Sequence, residues 1–313
     1  MNTISGLRTY RDAVAIITGG ASGIGRALAE ALAERGADVV IADLQGDLGN
    51  EIAAGIRARG GHATAHEIDV TDFEALERLV QDTAAAKGRL DYICNNAGIG
   101  IGGEVRLHQI EDWNRIIDVN LRGVANGVQA AYPAMLRQGF GHIVNTASMA
   151  GLMPCPGLVS YSAVKHAVVG LSTSLRVEAA AAGVRVSVLC PGVIQTPILY
   201  GGGKHGKMLE PLAPEKERAY WQRLRPMPAE RFAAKALRAI AKNKAIIIIP
   251  SWWKMYWWLN RLSPSLGLWM ARRLHSWARR ALTEAADATA SEETVALSAT
   301  AKAAKETVSR PTP

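Results

Sequence analysis

Short apolar runs alternate with helical patterns over the first hundred residues, and this alternation restricts the fold more than any other feature. Residues 13–18 (AVAIIT) form a continuous apolar run, and residues 38–43, 63–69 and 91–94 follow, each separated by one helical stretch. Strands that alternate with helices predict a parallel sheet covered by helices on both faces. We therefore expect an α/β fold with a doubly wound parallel sheet, in which ligands bind at the carboxyl ends of the strands.

A glycine-rich turn follows the first run. Residues 19–25 read GGASGIG, and a helical pattern then continues to Gly36. A strand, a glycine turn and a helix present backbone N–H groups and a helix N-terminus to a phosphate. The spacing, G-x-x-x-G-x-G, departs from the common dinucleotide fingerprint, although glycine would still let the main chain approach a pyrophosphate. On this motif alone, a glycine turn that binds no ligand remains an alternative interpretation. The candidate contacts are Gly19, Ser22, Gly23, Ile24 and Gly25.

Asp43 ends the second run, 18 residues after Gly25. A carboxylate here can bond both ribose hydroxyls of a dinucleotide and would repel a 2′-phosphate. Position 20 is glycine, so no basic side chain there could balance that phosphate. Both features favour NAD over NADP. Asp69 and Val70 end the third run, where an adenine would lie, although Asp at a strand end is also a common helix cap.

Tyr161 and Lys165 stand four residues apart in a helical pattern over residues 158–182. This spacing places both on one helix face. A nearby ammonium favours the phenolate and lowers the tyrosine pKa from its usual value of ~10. Tyr161 could then take a proton from an alcohol or return one to a carbonyl oxygen. Ser148 ends a strand-like run thirteen residues upstream, and its hydroxyl could position the same substrate oxygen.

Four motifs together resemble the short-chain dehydrogenase/reductase family in order and spacing: TGGASGIG at 18–25, NNAG at 95–98, Ser148, and YSAVK at 161–165. The resemblance covers residues 10–250 and implies a Rossmann fold. It also implies hydride transfer between a nicotinamide cofactor and a CH–OH group.

The catalytic residues that this resemblance implies are Asn120, Ser148, Tyr161 and Lys165. Asn120 would hold a water that passes protons to the lysine, although a polar core residue bonding a helix carbonyl is compatible with that role. Further implied cofactor contacts are Asn96, Ala97, Gly98, Tyr161, Lys165, Pro191, Gly192, Ile194 and Thr196. Thr196 precedes a proline and could equally form a turn.

Positive charge and tryptophan are concentrated near the end of the chain. Residues 199–282 contain 17 Lys/Arg and 4 Asp/Glu, a net charge of +13, and six of the eight tryptophans lie between Trp252 and Trp277. No apolar run reaches the ~20 residues that span a bilayer, whereas Trp flanked by Arg and Lys is typical of interfacial helices. We expect membrane-surface contact through residues 251–282. A lipophilic substrate pocket, a subunit interface and completion of the core are the alternatives.

Nucleic-acid binding is disfavoured because no known binding fold accompanies these aromatic and basic residues. The three cysteines, Cys94, Cys155 and Cys190, lack metal-ligand spacing and indicate reduced thiols in a cytoplasmic protein with no metal. That protein could be peripheral on the membrane.

We expect one domain over residues 10–250, with a substrate lid at 198–228. A basic, Trp-rich helical extension over 251–282 and a disordered tail over 283–313 follow. The resemblance places the helix that carries Tyr161 at a subunit interface, and its alanine-rich flank would permit a homo-oligomer, either a dimer or a tetramer.

The sequence predicts an NAD-dependent oxidoreductase for a lipophilic secondary alcohol or ketone. One alternative is a 3-oxoacyl thioester reductase whose basic face binds an acidic carrier protein, although Asp43 disfavours the NADPH that such enzymes usually use. The other is a non-catalytic, membrane-associated scaffold or sensor that binds the cofactor. Such proteins usually lack a catalytic group, and this chain lacks none.

Overall fold

A seven-stranded parallel sheet is the centre of the computed structural model, which describes residues 6–210, 214–273 and 275–276. The strands are β1 (Val14–Thr18), β2 (Asp38–Asp43), β3 (His62–Glu67), β4 (Tyr92–Asn95), β5 (Ile101–Gly102), β6 (Gly141–Thr146), β7 (Val184–Pro191), β8 (Ile194–Gln195), β9 (Lys207–Met208), β10 (Met227–Pro228) and β11 (Ile246–Ile249). The sheet order is β3-β2-β1-β4-β6-β7-β11, and every pairing in it is parallel.

Helices cover both faces of this sheet. The described α-helices are α1 (Gly23–Ala33), α2 (Gly46–Ala58), α3 (Phe73–Lys87), α4 (Ile110–Ile117), α5 (Gly123–Gln138), α6 (Val159–Ala179), α7 (Pro214–Arg223), α8 (Ala229–Ala241) and α9 (Trp253–Leu262). Ile17 of β1 packs in a cluster with residues of α1, α2 and α8, whereas Ile16 packs with residues of α3, α5 and α6. Successive strand residues point to opposite faces, which explains why the run AVAIIT is apolar throughout. The predicted doubly wound parallel sheet is confirmed.

Two regions differ from the predicted elements. Residues 112–138 have the sequence pattern of one long helix, whereas the structure has a π-helical turn, Asp118–Arg122, between α4 and α5. The region expected to be an irregular lid, 198–228, contains β9 and β10, each paired in parallel with another two-residue strand, β5 and β8 respectively. A two-residue strand has no alternating pattern, so its pairing depends on contacts that the local sequence does not encode.

The chain divides into two compact units between Gly267 and Leu268. The first unit contains the whole sheet and α1 to α9. In the second unit, residues 268–273 and 275–276 are helical. Trp277 and the tail expected at 283–313 lie outside the described residues. Among the described helices, none has the length and apolar character required to cross a bilayer.

Candidate active site

Ser148, Tyr161 and Lys165 meet at the carboxyl edge of the sheet. The Lys165 side chain is buried on α6, and its Nζ donates to the carbonyl oxygen of Thr146, the last residue of β6, at 2.9 Å. The same Nζ lies 5.6 Å from the centroid of the Tyr161 ring. Ser148 caps the 3-10 turn Met149–Gly151, where its Oγ accepts a hydrogen bond from the Ala150 N–H at 3.1 Å. The Ser148 hydroxyl also interacts with the Tyr161 phenol and lowers its pKa.

Burial dominates the protonation of the tyrosine and the lysine. It raises the pKa of Tyr161 to about 12, with the Ser148 hydrogen bond opposing the shift and the Cys155 thiol adding to it. It lowers the pKa of Lys165 to about 8, opposed by Cys190. The direction at Tyr161 is opposite to the one expected from Lys165 alone. Loss of water around a phenolate is costly, and here it outweighs a cation whose Nζ is bonded to the Thr146 carbonyl.

Asn120 is fully buried within the π-helical turn. Its Oδ1 accepts from the Ile99 N–H and its Nδ2 donates to the Ile99 carbonyl oxygen, both at 2.8 Å. A Cβ on Gly98 would lie 3.1 Å from Asn120 Oδ1 and 3.6 Å from Lys165 Nζ, so these two side chains flank Gly98. The asparagine therefore holds the loop that follows β4, and it bonds this loop rather than a helix carbonyl. Its water-binding role stays a prediction.

The N-terminus of α1 faces the same edge of the sheet. Its N-cap residue, Ser22, makes no side-chain capping hydrogen bond, and its first turn contains no acidic residue. A helix start without a capping side chain has N–H groups and a positive dipole end to offer an external anion. Gly19 and Gly23 have φ values of +63° and +52°, which glycine adopts without strain. These features fit a dinucleotide pyrophosphate.

Thr18 joins the glycine turn to the loop at 95–98. Its Oγ1 accepts hydrogen bonds from the N–H groups of Asn96 at 2.9 Å and Ala97 at 3.1 Å. The Asn96 side-chain amide in turn donates to the carbonyl oxygens of Thr18 and Gly19. A Cβ on Gly25 would collide with the Gly19 carbonyl oxygen, so the turn tolerates no side chain there. These contacts bring the two predicted cofactor loops together.

Asp43 lies buried at the end of β2. Its Oδ2 accepts from the Ala21 N–H and its Oδ1 from the Gln45 N–H, both at 2.9 Å. Both partners are backbone groups, and each carboxylate oxygen keeps acceptor capacity for a hydroxyl. Asp69 differs, because its exposed carboxylate accepts from the N–H and Oγ1 of Thr71 in a local turn. Val70 is buried, and a Cβ on Gly123 of α5 would crowd its side chain.

The segment after β7 approaches the glycine turn. The Gly192 N–H donates to the Ile249 carbonyl oxygen at 2.9 Å, directly after Pro191 ends the strand. Thr196 is buried, and its Oγ1 donates to the Ile194 carbonyl oxygen at 3.3 Å. A Cβ on Gly23 would lie 3.2 Å from the Thr196 Cβ. The predicted cofactor contacts in the glycine turn therefore lie next to those in the segment after β7.

An open groove of about 550 Å³ begins at this segment, lined by Gln195, Thr196, Pro197, Tyr200, Gly203 and Lys204. The segment predicted to be a lid is joined to the sheet side of the site next to β9, where the Leu209 N–H donates to the Gly102 carbonyl oxygen at 2.8 Å. Leu209 and Tyr161 both pack against a buried cluster that contains Ile99 and Ile101. Apolar side chains, Leu209 among them, thus adjoin the phenol.

Three groups of this site were not identified from the sequence. The Thr18 hydroxyl holds Asn96, and the Thr146 carbonyl oxygen holds Lys165. For Thr18, its position immediately before the glycine turn was the available signal in the sequence. The third is Trp253, whose buried Nε1 has no hydrogen-bond partner among the described residues and lies against Gly192. No local pattern links positions 192 and 253, so this contact required the structure.

Comparisons with known proteins agree with the motifs. Residues 13–203 match the family described as short chain dehydrogenase. The "Probable oxidoreductase EphD" of Mycobacterium tuberculosis is 41% identical over 197 residues, which are 63% of this chain and 33% of that protein. The chain thus spans about a third of that relative's length.

Two further similarities cover more of the matched protein. The 2,5-dichloro-2,5-cyclohexadiene-1,4-diol dehydrogenase LinX of Sphingobium indicum is 40% identical over 185 residues, 59% of this chain and 74% of LinX. A crystal structure of a short chain dehydrogenase/reductase from Burkholderia phymatum, in complex with NAD, superposes with a TM-score of 0.73. It is 31% identical and covers 83% of this chain and 96% of the other.

Proposed function

The chain belongs to the short-chain dehydrogenase family, and from this premise we propose that it is an NAD-dependent oxidoreductase that interconverts a lipophilic secondary alcohol and its ketone. The observation that carries the proposal is the contact of Ser148, Tyr161 and Lys165 beside the glycine turn. The dehydrogenase activity in the name of LinX, on a ring diol, supports the reaction class.

Bound NAD supplies the hydride acceptor and a positive charge on its oxidised nicotinamide ring. Burial disfavours the Tyr161 phenolate, whereas the positive charges of Lys165 and of the oxidised nicotinamide ring would favour it. In that form Tyr161 takes the proton of the substrate hydroxyl, and in the reverse direction the phenol returns it. Lys165, with a pKa of about 8, is mostly charged at neutral pH and favours the phenolate. Ser148 bonds the substrate oxygen and fixes its distance from the phenol. Asn120 holds the loop at Gly98 and Ile99 beside the lysine.

The preference for NAD over NADP rests on Asp43. Its carboxylate is buried, bonded to backbone N–H groups, and adjacent to the glycine turn through Ala21. A ribose 2′-hydroxyl can donate to such a group, whereas a 2′-phosphate would meet a like charge. The NAD in the Burkholderia phymatum structure supports a nicotinamide cofactor for this chain.

The lipophilic substrate is supported by the surroundings of the phenol. Ile99, Ile101 and Leu209 belong to or pack against the cluster that Tyr161 contacts. An apolar wall favours a substrate that loses contact with water on binding, and such pockets ordinarily fix the ligand through a few polar groups. A ring diol like the one in the name of LinX is a suitable first compound for a screen.

The proposal is tested with purified protein, NAD and a panel of cyclic and straight-chain secondary alcohols, following NADH absorbance. Tyr161→Phe should reduce turnover by at least ~10³-fold, because the proton acceptor is removed. Tyr132→Phe, which removes a partly exposed phenol on α5, is the matched control and should retain turnover. Equal activity of the Tyr161→Phe variant and the wild type would refute the role of the phenol, and a panel with no turnover would refute the function.

The same family membership supports a homo-oligomer. Along α6, the small residues Ala163, Ala167, Gly170 and Ser174 are exposed on one side of the helix. Small side chains permit close approach of a second helix, and two copies of this surface would be self-complementary under two-fold symmetry. Light scattering coupled to size exclusion would give the mass, and a monomer would contradict this proposal while leaving the reaction untouched.

A further inference from the structure

Helix α9 is apolar on two opposite faces. On its inner face, Trp253 and Trp257 pack against a buried cluster that contains Leu152 and Cys190. Asn260 lies on the same inner side, and its Nδ2 donates to the Leu152 carbonyl oxygen at 3.3 Å. A helix on the surface of a globular protein ordinarily presents a polar face opposite its buried one. In α9 the inner face already completes the core, so its outer face needs a separate explanation.

The outer face carries four large apolar side chains that are more than half exposed. Trp252 is 51% exposed, Met255 58%, Trp258 53% and Leu262 78%. Met255, Trp258 and Leu262 follow one side of the helix at spacings of three and four residues, with Trp252 at its edge. Single exposed apolar residues are common, but a continuous group of this kind marks an interaction surface.

Cationic side chains border this group. Lys254 and Arg261 are exposed and adjacent to Trp258 in the helical projection. The Arg261 guanidinium lies 5.7 Å from the centroid of the Trp257 ring. In the sequence, residues 250–283 contain six Lys or Arg and no Asp or Glu. The outer face of α9 combines Trp, Met and Leu with the positive charges of Lys254 and Arg261, and the helix itself contains no acidic residue.

We propose that this outer face of α9 is a docking surface for an anionic lipid bilayer. Tryptophan prefers the headgroup level of a bilayer, and Lys and Arg beside it attract anionic lipids. A second copy of the chain fits the surface less well. Two-fold pairing of the same face would bring Lys254 and Arg261 of both copies together with no acidic residue to oppose them.

Docking here would link the bilayer to the site described above, and this link alone rests on the proposed function. The inner face of α9 contacts Leu152, which follows the turn that Ser148 caps, and Gly192, which begins the segment leading to Thr196. A lipophilic substrate dissolved in the membrane would then reach a site whose flanking loops rest on the docked helix. Membrane binding itself does not require turnover.

The test is co-sedimentation of the full chain with vesicles of phosphatidylcholine alone or mixed with phosphatidylglycerol. We expect the protein to sediment with the anionic vesicles and only weakly with the neutral ones. Raising NaCl from about 0.1 M to about 1 M shortens the Debye length from ~10 Å to ~3 Å and should release much of the bound protein. Equal sedimentation with both vesicle types at both salt concentrations would contradict the proposed attraction between the cationic side chains and anionic lipids.

Variants separate this surface from others on the molecule. Trp258→Ser with Leu262→Ser should lower the vesicle partition coefficient by about tenfold or more, because two apolar side chains no longer enter the interface. Ile110→Ser is the matched control, since Ile110 is 65% exposed on α4, and it should sediment as the wild type does. Circular dichroism and thermal melting would verify that all three proteins are folded.

Two results would overturn the proposal. One is unchanged sedimentation of the double variant. The other is a wild type that does not sediment with anionic vesicles. If the double variant then also has a lower mass by light scattering, the face is an interface between copies of the chain. Because sedimentation is read without substrate, an inactive protein that still binds vesicles would count against the proposed function alone.

Discussion

The indole of Trp253 lies directly against the backbone of Gly192, so that a Cβ at position 192 would overlap the ring at Nε1 and Cδ1. The two residues come from different elements, since Gly192 follows β7 and Trp253 begins α9. Glycine is required here because of the close approach, as Gly192 is absent from the residues with positive φ. The tryptophan therefore supports the start of the segment that carries Ile194 and Thr196, two of the predicted cofactor contacts.

Gly192→Ala should weaken cofactor binding more than it lowers stability. The added methyl group must displace the indole or the loop, and overpacking of this kind costs about 1–3 kcal/mol. If the loop moves and the indole stays in place, the KM for NAD should rise about tenfold, which corresponds to ~1.4 kcal/mol. The measurement is the KM for NAD together with the melting temperature.

Two companion variants make this prediction specific. Trp253→Leu in the Gly192→Ala background should restore much of the NAD affinity, because the smaller side chain leaves room for the methyl group. Gly55→Ala is the control within α2, where a Cβ would meet only the Arg59 Nη1, at 3.6 Å. An NAD affinity that is unchanged by Gly192→Ala would show that the indole does not position the loop.

Ser148→Ala should move the pH dependence of alcohol oxidation to higher pH. The Ser148 hydrogen bond lowers the pKa of Tyr161, so its removal raises that pKa and reduces the phenolate fraction at any pH below it. The oxidation rate should fall by about 10²-fold near neutral pH and recover partly as the pH rises. Ketone reduction, which uses the protonated phenol, should show no such alkaline recovery.

The readout is kcat/KM across the pH range in both directions. Ser148→Thr keeps a hydroxyl at the same position and should retain the wild-type profile. If Ser148→Ala lowered kcat/KM by the same factor at every pH, without moving the pH profile, the serine would position the substrate without acting on the phenol.

Asp43→Ser should change the cofactor preference. We expect the wild type to use NAD with a kcat/KM about 10²-fold or more above that for NADP, because a buried carboxylate repels a 2′-phosphate. The serine removes that charge and should lower the NAD:NADP ratio at least about tenfold. The ratio is the proper measurement, since loss of the hydrogen bonds to Ala21 and Gln45 would affect both cofactors alike. A wild-type ratio near one would refute the preference.

Local sequence was sufficient for the parts of this molecule that depend on periodicity. The apolar run of β1 is buried on both faces, and the four-residue spacing of Tyr161 and Lys165 places the ammonium near the ring. Asp43 could be placed because it directly ends a recognisable strand. In each case the information lies within a few consecutive residues.

Long-range contacts account for what could not be predicted. The π-helical turn accompanies a pair of hydrogen bonds between Asn120 and Ile99, residues on different elements. The raised pKa of Tyr161 follows from burial, which is a property of the assembled fold and not of the Tyr-x-x-x-Lys spacing. Likewise the contact between positions 192 and 253 joins segments sixty residues apart.

A final prediction concerns His142, which is fully buried on β6 and should make stability depend on pH. Its Nε2 lies 2.9 Å from Ser187 Oγ, and that hydroxyl already donates its proton to the Lys244 carbonyl oxygen. The imidazole must therefore donate from Nε2, as a neutral ring can. Burial, followed by the charges of Arg185 and Arg176, lowers the pKa of His142 to about 3.

Because the pKa in the folded state is below the ordinary value of ~6.5, the unfolded chain binds the extra proton between these two values. The contribution of His142 to stability is complete above ~6.5 and should decline by up to about 1.4 kcal/mol per pH unit as the pH falls towards ~3. His142→Gln can still donate to Ser187 but does not titrate. Between about pH 7.5 and about pH 5, the free energy of unfolding measured with urea should therefore fall by about 1–2 kcal/mol more for the wild type than for the variant. Parallel losses in the two proteins would mean that the histidine is not the group that takes up the proton.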